Sequence, residues 1–109
     1  MAFVYILYSE ELDHFYVGSC LDLDSRIKDH LEKRYFGFTS NVTDWQLFLS
    51  IPDLEYKQAR NIESHIKAMK SKKYIESLRK YPELKNKLIE KYHTGALVPI
   101  AIGIDSVDL

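Results

Sequence analysis

Two short apolar runs near the start constrain this chain more than any other feature. Phe3-Val4-Tyr5-Ile6-Leu7-Tyr8 is apolar or aromatic at both parities, the pattern of a strand buried on both faces. Ser9 to His14 is polar and turn-like, and Phe15 to Cys20 is a second aromatic and β-branched run. Two such runs around a connection of about six residues read as a β-hairpin. Gly18 lies inside the second run, where a glycine marks a bulge or close approach by a ligand or another backbone.

Beyond the hairpin the period turns helical. Asp22 suits the N-cap of a helix from about Leu23 to Arg34, with Leu23, Ile27 and Leu31 as its buried stripe. Arg26 and His30 stand one turn apart on a neighbouring face. Residues 37–43 read as a loop, and Trp45 to Ile51 as a third strand closed by Pro52. From about Leu54 to Ser71 a helix would bury Ala59, Ile62, Ile66 and Met69, with Glu63 and Lys67 flanking that stripe and facing a groove. Ser71 to Lys80 continues as a basic helix with Tyr74, Ile75 and Leu78 as its apolar contacts. Pro82 suits the first turn of a last helix, near Glu83 to Tyr92, that Gly95 could end.

These elements fit one domain over residues 1–92, since 109 residues leave room for one core. Residues 93–109 form an apolar tail, broken by Pro99, that packs on the body or joins two copies as a homo-oligomer. Cys20 is the single cysteine, which excludes an internal disulfide and a cysteine-based metal site. No secretory signal is evident, and no apolar run approaches the roughly 18 residues of a membrane span. The expectation is a cytoplasmic protein with no membrane partner. Eight tyrosines in so short a chain are mostly packing residues whose hydroxyls find a polar partner.

The charge is segregated. Residues 1–56 carry 4 Lys/Arg against 10 Asp/Glu, a net of −6, and residues 57–91 carry 11 against 4, a net of +7. A basic half of this kind faces a polyanion or is a set of solvated lysine-rich helix faces. Charge alone does not separate the two.

The motifs do more. Val4-Tyr5-Ile6 and Tyr16-Val17-Gly18 resemble the two halves of the GIY-YIG signature, with Val4 where the first half has glycine. Arg26 and His30 stand where that family has its helix arginine and a histidine or tyrosine one turn later. Glu63, in Ile62-Glu63-Ser64-His65-Ile66-Lys67, stands where the family has its metal-binding glutamate. The match covers roughly residues 3–80 and is nearest to the small stand-alone bacterial members. Ser19 and Cys20 follow Gly18 where larger members carry a lysine, and the asparagine those members place after the glutamate has no counterpart.

The resemblance implies an α/β (α+β) fold, a three-stranded, mainly antiparallel sheet flanked by helices. It implies a metal-dependent endonuclease that hydrolyses DNA phosphodiester bonds with Mg²⁺ or Mn²⁺. Glu63 would hold the metal, Tyr5 or Tyr16 would activate water, Arg26 would grip the scissile phosphate, and His30 would assist the tyrosine. Lys67, Lys70, Lys72 and Lys73 would bind flanking phosphates. Phosphodiester hydrolysis needs an activated water and positive charge on the phosphoryl oxygens, which these residue types supply. Singly, each has a plainer reading: Tyr5 and Tyr16 as sheet residues, Arg26 and His30 as ordinary helix residues, Glu63 and Lys67 as an i,i+4 ion pair. The alternatives to a nuclease are a nucleic-acid-binding module that keeps the fold and cuts little, and a structural protein that oligomerises through its tail.

Overall fold

The structure, a computed structural model, describes residues 1–31 and 44–93, without the side chains of His30 and Leu31. The hairpin is present as β1 (Ala2–Ser9) and β2 (His14–Cys20), followed by α1 (Leu23–Leu31), β3 (Gln46–Leu54), α2 (Tyr56–Met69), α3 (Lys72–Lys80) and α4 (Pro82–Lys91). The three strands form one antiparallel sheet in the order β2-β1-β3. Of the expected first helix and loop, residues 32–43 lie outside the described residues. So do Gly95 and all but the first residue of the tail.

The hairpin turn is closed from a distance. Asp13 takes a left-handed conformation at φ 52, and its amide donates to the Glu10 carbonyl at 3.3 Å. The Ser9 hydroxyl donates to one oxygen of Asp44 at 2.6 Å, and the Glu11 amide donates to the other at 2.9 Å. These two hydrogen bonds hold the Asp44 carboxyl below the usual carboxylate range.

Central β1 explains why its sequence is apolar at both parities. Val4 and Ile6 face one side and join Phe15, Val17 and Ile51 in the main core, which the Ala59-Ile62-Ile66 stripe of α2 covers. Tyr5 and Leu7 face the other side and join Cys20 and Trp45, against which Leu23 and Ile27 of α1 pack. The sheet is therefore covered on both faces.

Two boundaries differ from the sequence reading. Pro52 does not end β3: Ala2 pairs with Leu54 and Val4 with Ile51, so β3 has one extra residue there, with Asp53 at φ 60. A bulge on an edge strand absorbs the proline, whose missing donor costs no ladder bond there. Nor do α2 and α3 run continuously. Lys70 ends α2 in the left-handed conformation at φ 48, and Ser71 caps α3 by accepting the Tyr74 amide at 3.1 Å. Met69, expected in the buried stripe, is consequently exposed at the end of its helix.

The tyrosine expectation holds where α2, α3 and α4 meet. His65 Nδ1 and Tyr92 Oη are 2.6 Å apart, and His65 Nε2 and Tyr74 Oη are 3.2 Å apart. The ring links α2 to α3 and to the end of α4, and burial pushes its pKa down.

Candidate active site at one end of the second strand

Tyr5, Tyr16 and Gly18 share the α1 face of the sheet, and Tyr5 pairs directly with Gly18. A Cβ on Gly18 would stand closer than 3.0 Å to the ring and hydroxyl of Tyr5. The close approach signalled by this glycine is thus made by a side chain, and the spacing Tyr5…Gly18 is one steric unit. Tyr5 is 0% exposed and Tyr16 only half-buried, with ring centroids 6.2 Å apart. Burial, then the neighbouring Tyr16, raises the pKa of the Tyr5 hydroxyl, and Arg26 partly opposes them.

Arg26 arrives from α1. Asp22 fixes that helix as its sequence suggests, its carboxylate accepting the Ser25 amide at 3.1 Å while its carbonyl accepts the Arg26 amide at 3.1 Å. The Arg26 charge acts on both the Tyr5 hydroxyl and the Cys20 thiol. His30 lies one turn further along the same helix, and its side chain is outside the described set.

Glu63 comes from the other side. It lies on α2, which packs on the main-core face of the sheet, and it meets β2 at Ser19, the residue paired with Val4 of that face. Ser19 is the hinge of this arrangement: its hydroxyl donates to Glu63 Oε1 at 2.5 Å. Ser19 follows Gly18, the partner of Tyr5, and lines a cleft with Arg26, so the end of β2 that holds Glu63 is the end beside Tyr5 and Arg26.

Lys67 Nζ donates to Glu63 Oε2 at 2.5 Å, with the lysine side chain 2% exposed and the glutamate 13% exposed. The plain i,i+4 ion pair is real, and it is part of the site. It also corrects the reading of Lys67: its ammonium is turned inward and does not present itself to a flanking phosphate. Lys70 and Lys73 are exposed. Lys72 sits at the opposite end of β2, donating to the Asp13 carbonyl at 2.8 Å and its carboxylate at 3.3 Å. Six residue steps of strand separate the two ends, about 20 Å.

Beside Ser19 opens a cleft of about 370 Å³, lined in part by Arg26, Asp29, Tyr56 and Arg60. The sequence reading passed over Ser19, Tyr56 and Arg60. The signal for two of them was present: Tyr56, Arg60, Glu63 and Lys67 follow spacings of 4, 3 and 4, a polar stripe beside the apolar one.

A family model, the GIY-YIG catalytic domain, matches residues 1–76. The chain belongs to the GIY-YIG family. No curated protein and no solved structure matches it. Membership of the GIY-YIG family indicates a nuclease-type, hydrolytic function acting on DNA, and the three-stranded antiparallel sheet with flanking helices is the fold expected of it. Among the described residues no helix is long and apolar enough to cross a membrane.

The donor set bears on a metal. No group of three or more His, Cys, Asp or Glu side chains converges among the described residues. Glu63 stands as a single carboxylate, and its two present hydrogen bonds leave one acceptor direction on each oxygen. One carboxylate suits a hard divalent ion that keeps most of its waters and takes further oxygens from a phosphate. It does not suit a closed structural site of four protein ligands. The residues fit a hard divalent ion.

Proposed function

We propose that the protein is a divalent-metal-dependent endonuclease that hydrolyses DNA phosphodiester bonds at the Ser19 end of β2. The observation that supports this reading is the Ser19 hydrogen bond to Glu63 at the strand end where Tyr5 pairs with Gly18 and where Ser19 and Arg26 line one cleft. Glu63 holds the metal, which supplies Lewis-acid stabilisation of the phosphoryl oxygens when bound. Arg26 grips the scissile phosphate with its planar fork. Arg60, lining the same cleft, holds a neighbouring one. Lys70, Lys72 and Lys73 reach phosphates further along a bound strand.

The two tyrosines divide the work by burial. Tyr5 is fully covered and its hydroxyl is held protonated, so it packs and positions the site. Tyr16 is only half-buried, and it orients the attacking water. His30, one turn after Arg26, accepts the proton that this tyrosine relays from the water.

The test is cleavage of duplex, flapped, branched and single-stranded DNA with Mg²⁺, with Mn²⁺ and with chelator. Metal-dependent cutting of at least one substrate is expected. Binding without cutting in every metal would replace this reading with that of a non-cutting binding module.

A further inference from the structure

The inference concerns Lys67 and rests on Glu63 being the metal carboxylate, as proposed above. The Lys67 ammonium is almost fully enclosed and bonded to the oxygen of Glu63 opposite the one that Ser19 occupies. It sits on the same helix one turn further on, among the buried residues of α2, so its charge is held beside the carboxylate. A divalent ion on Glu63 would therefore share one negative charge with a fixed positive one. Charges enclosed by protein are poorly screened, so a dication and an ammonium that share one carboxylate repel each other. A DNA phosphate at the same place supplies the missing negative charge.

We infer that Lys67 makes metal binding at Glu63 conditional on nucleic acid, so that the divalent ion and DNA load together. Lys67 acts as a positioning residue that weakens the metal site in the free protein. Linkage makes the coupling reciprocal: DNA tightens the ion, and the ion tightens DNA by the same factor.

Mn²⁺ binding to the full chain, measured by electron paramagnetic resonance, tests the first half. Anisotropy of a labelled, cleavage-resistant phosphorothioate oligonucleotide, with and without Mn²⁺, tests the second. Native protein alone should bind Mn²⁺ weakly, and Mn²⁺ should raise its oligonucleotide affinity at least about fivefold. Lys67→Met alone should bind Mn²⁺ at least about fivefold more tightly than native, whereas Lys67→Arg, which keeps the charge, should stay near native. Equal Mn²⁺ affinity in native and Lys67→Met overturns the inference. So does native oligonucleotide affinity indifferent to Mn²⁺, an arm that needs no variant to fold. Tightened Mn²⁺ binding that survives Glu63→Ala in the Lys67→Met background would instead sink the assignment of the metal to Glu63.

Discussion

The two ends of β2 carry the same chemical pair in opposite surroundings. At the Ser19 end Lys67 meets Glu63 with side chains 2% and 13% exposed, and at the hairpin end Lys72 meets Asp13 with side chains 40% and 74% exposed. In water an ion pair gains little, because solvent screens it and two long side chains lose freedom. Enclosed, the same pair has one favourable geometry and a large penalty for losing either partner. The comparison teaches that counting salt bridges says little about where a protein has fixed its chemistry. Burial says more.

Stability should separate the two ends of β2 most. Removing Lys67 as Lys67→Ala leaves an enclosed carboxylate without its ammonium and should cost about 3 kcal/mol of unfolding free energy. Lys72→Ala should produce no measurable change. Urea denaturation of the two variants side by side is the check, and equal losses would show that the two ends are energetically alike.

DNA binding separates them next. Replacing Lys70, Lys72 and Lys73 together should weaken binding about equally for all sequences. It should flatten the dependence of log K on log salt by roughly 2 to 3 units, since each neutralised duplex phosphate contributes about 0.9. An unchanged slope would assign all phosphate contact to the Arg26 and Arg60 end.

The smallest effect is on acid stability at the hairpin end. The Asp13 carboxyl is held below its ordinary range, chiefly by the hydrogen bond from the Tyr8 hydroxyl at 2.7 Å and then by Lys72. A depressed carboxyl pKa contributes stability above the unfolded value near 3.8, and that contribution is lost as pH falls through the folded value. Asp13→Asn should therefore lower stability at neutral pH slightly and make the unfolding midpoint fall less steeply below about pH 4. A variant whose acid limb matches native would remove Asp13 from the account.

Much of this was legible in the sequence because it rests on period and on turn chemistry. The hairpin, the Asp22 cap and the Ala59-Ile62-Ile66 stripe are local patterns, and each forms where expected. The bulge at Pro52 and the break at Lys70 were not legible, because each follows from how a neighbouring element needs the chain to turn. At the site, sequence order brought Tyr5, Tyr16, Arg26 and Glu63 forward as a set. It could not separate the two tyrosines, whose burial depends on Gly18 and on the packing of α1. Nor could spacing reveal that Lys67 points inward, since an i,i+4 pair looks the same on a solvated face as on an enclosed one.

On the proposed reading, the Ser19 end of β2 cuts DNA through a metal held by Glu63. Its most direct test is the single-turnover cleavage rate of Glu63→Ala against native protein, at saturating DNA and with Mg²⁺ or Mn²⁺. Glu63→Ala should lose at least about a hundredfold, the scale of removing a key electrostatic stabiliser, while oligonucleotide binding without metal and a lowered but still cooperative melting transition show a folded, DNA-competent protein. Metal-dependent cleavage at the native rate by Glu63→Ala would contradict it, and the ion would then have to be held by another group.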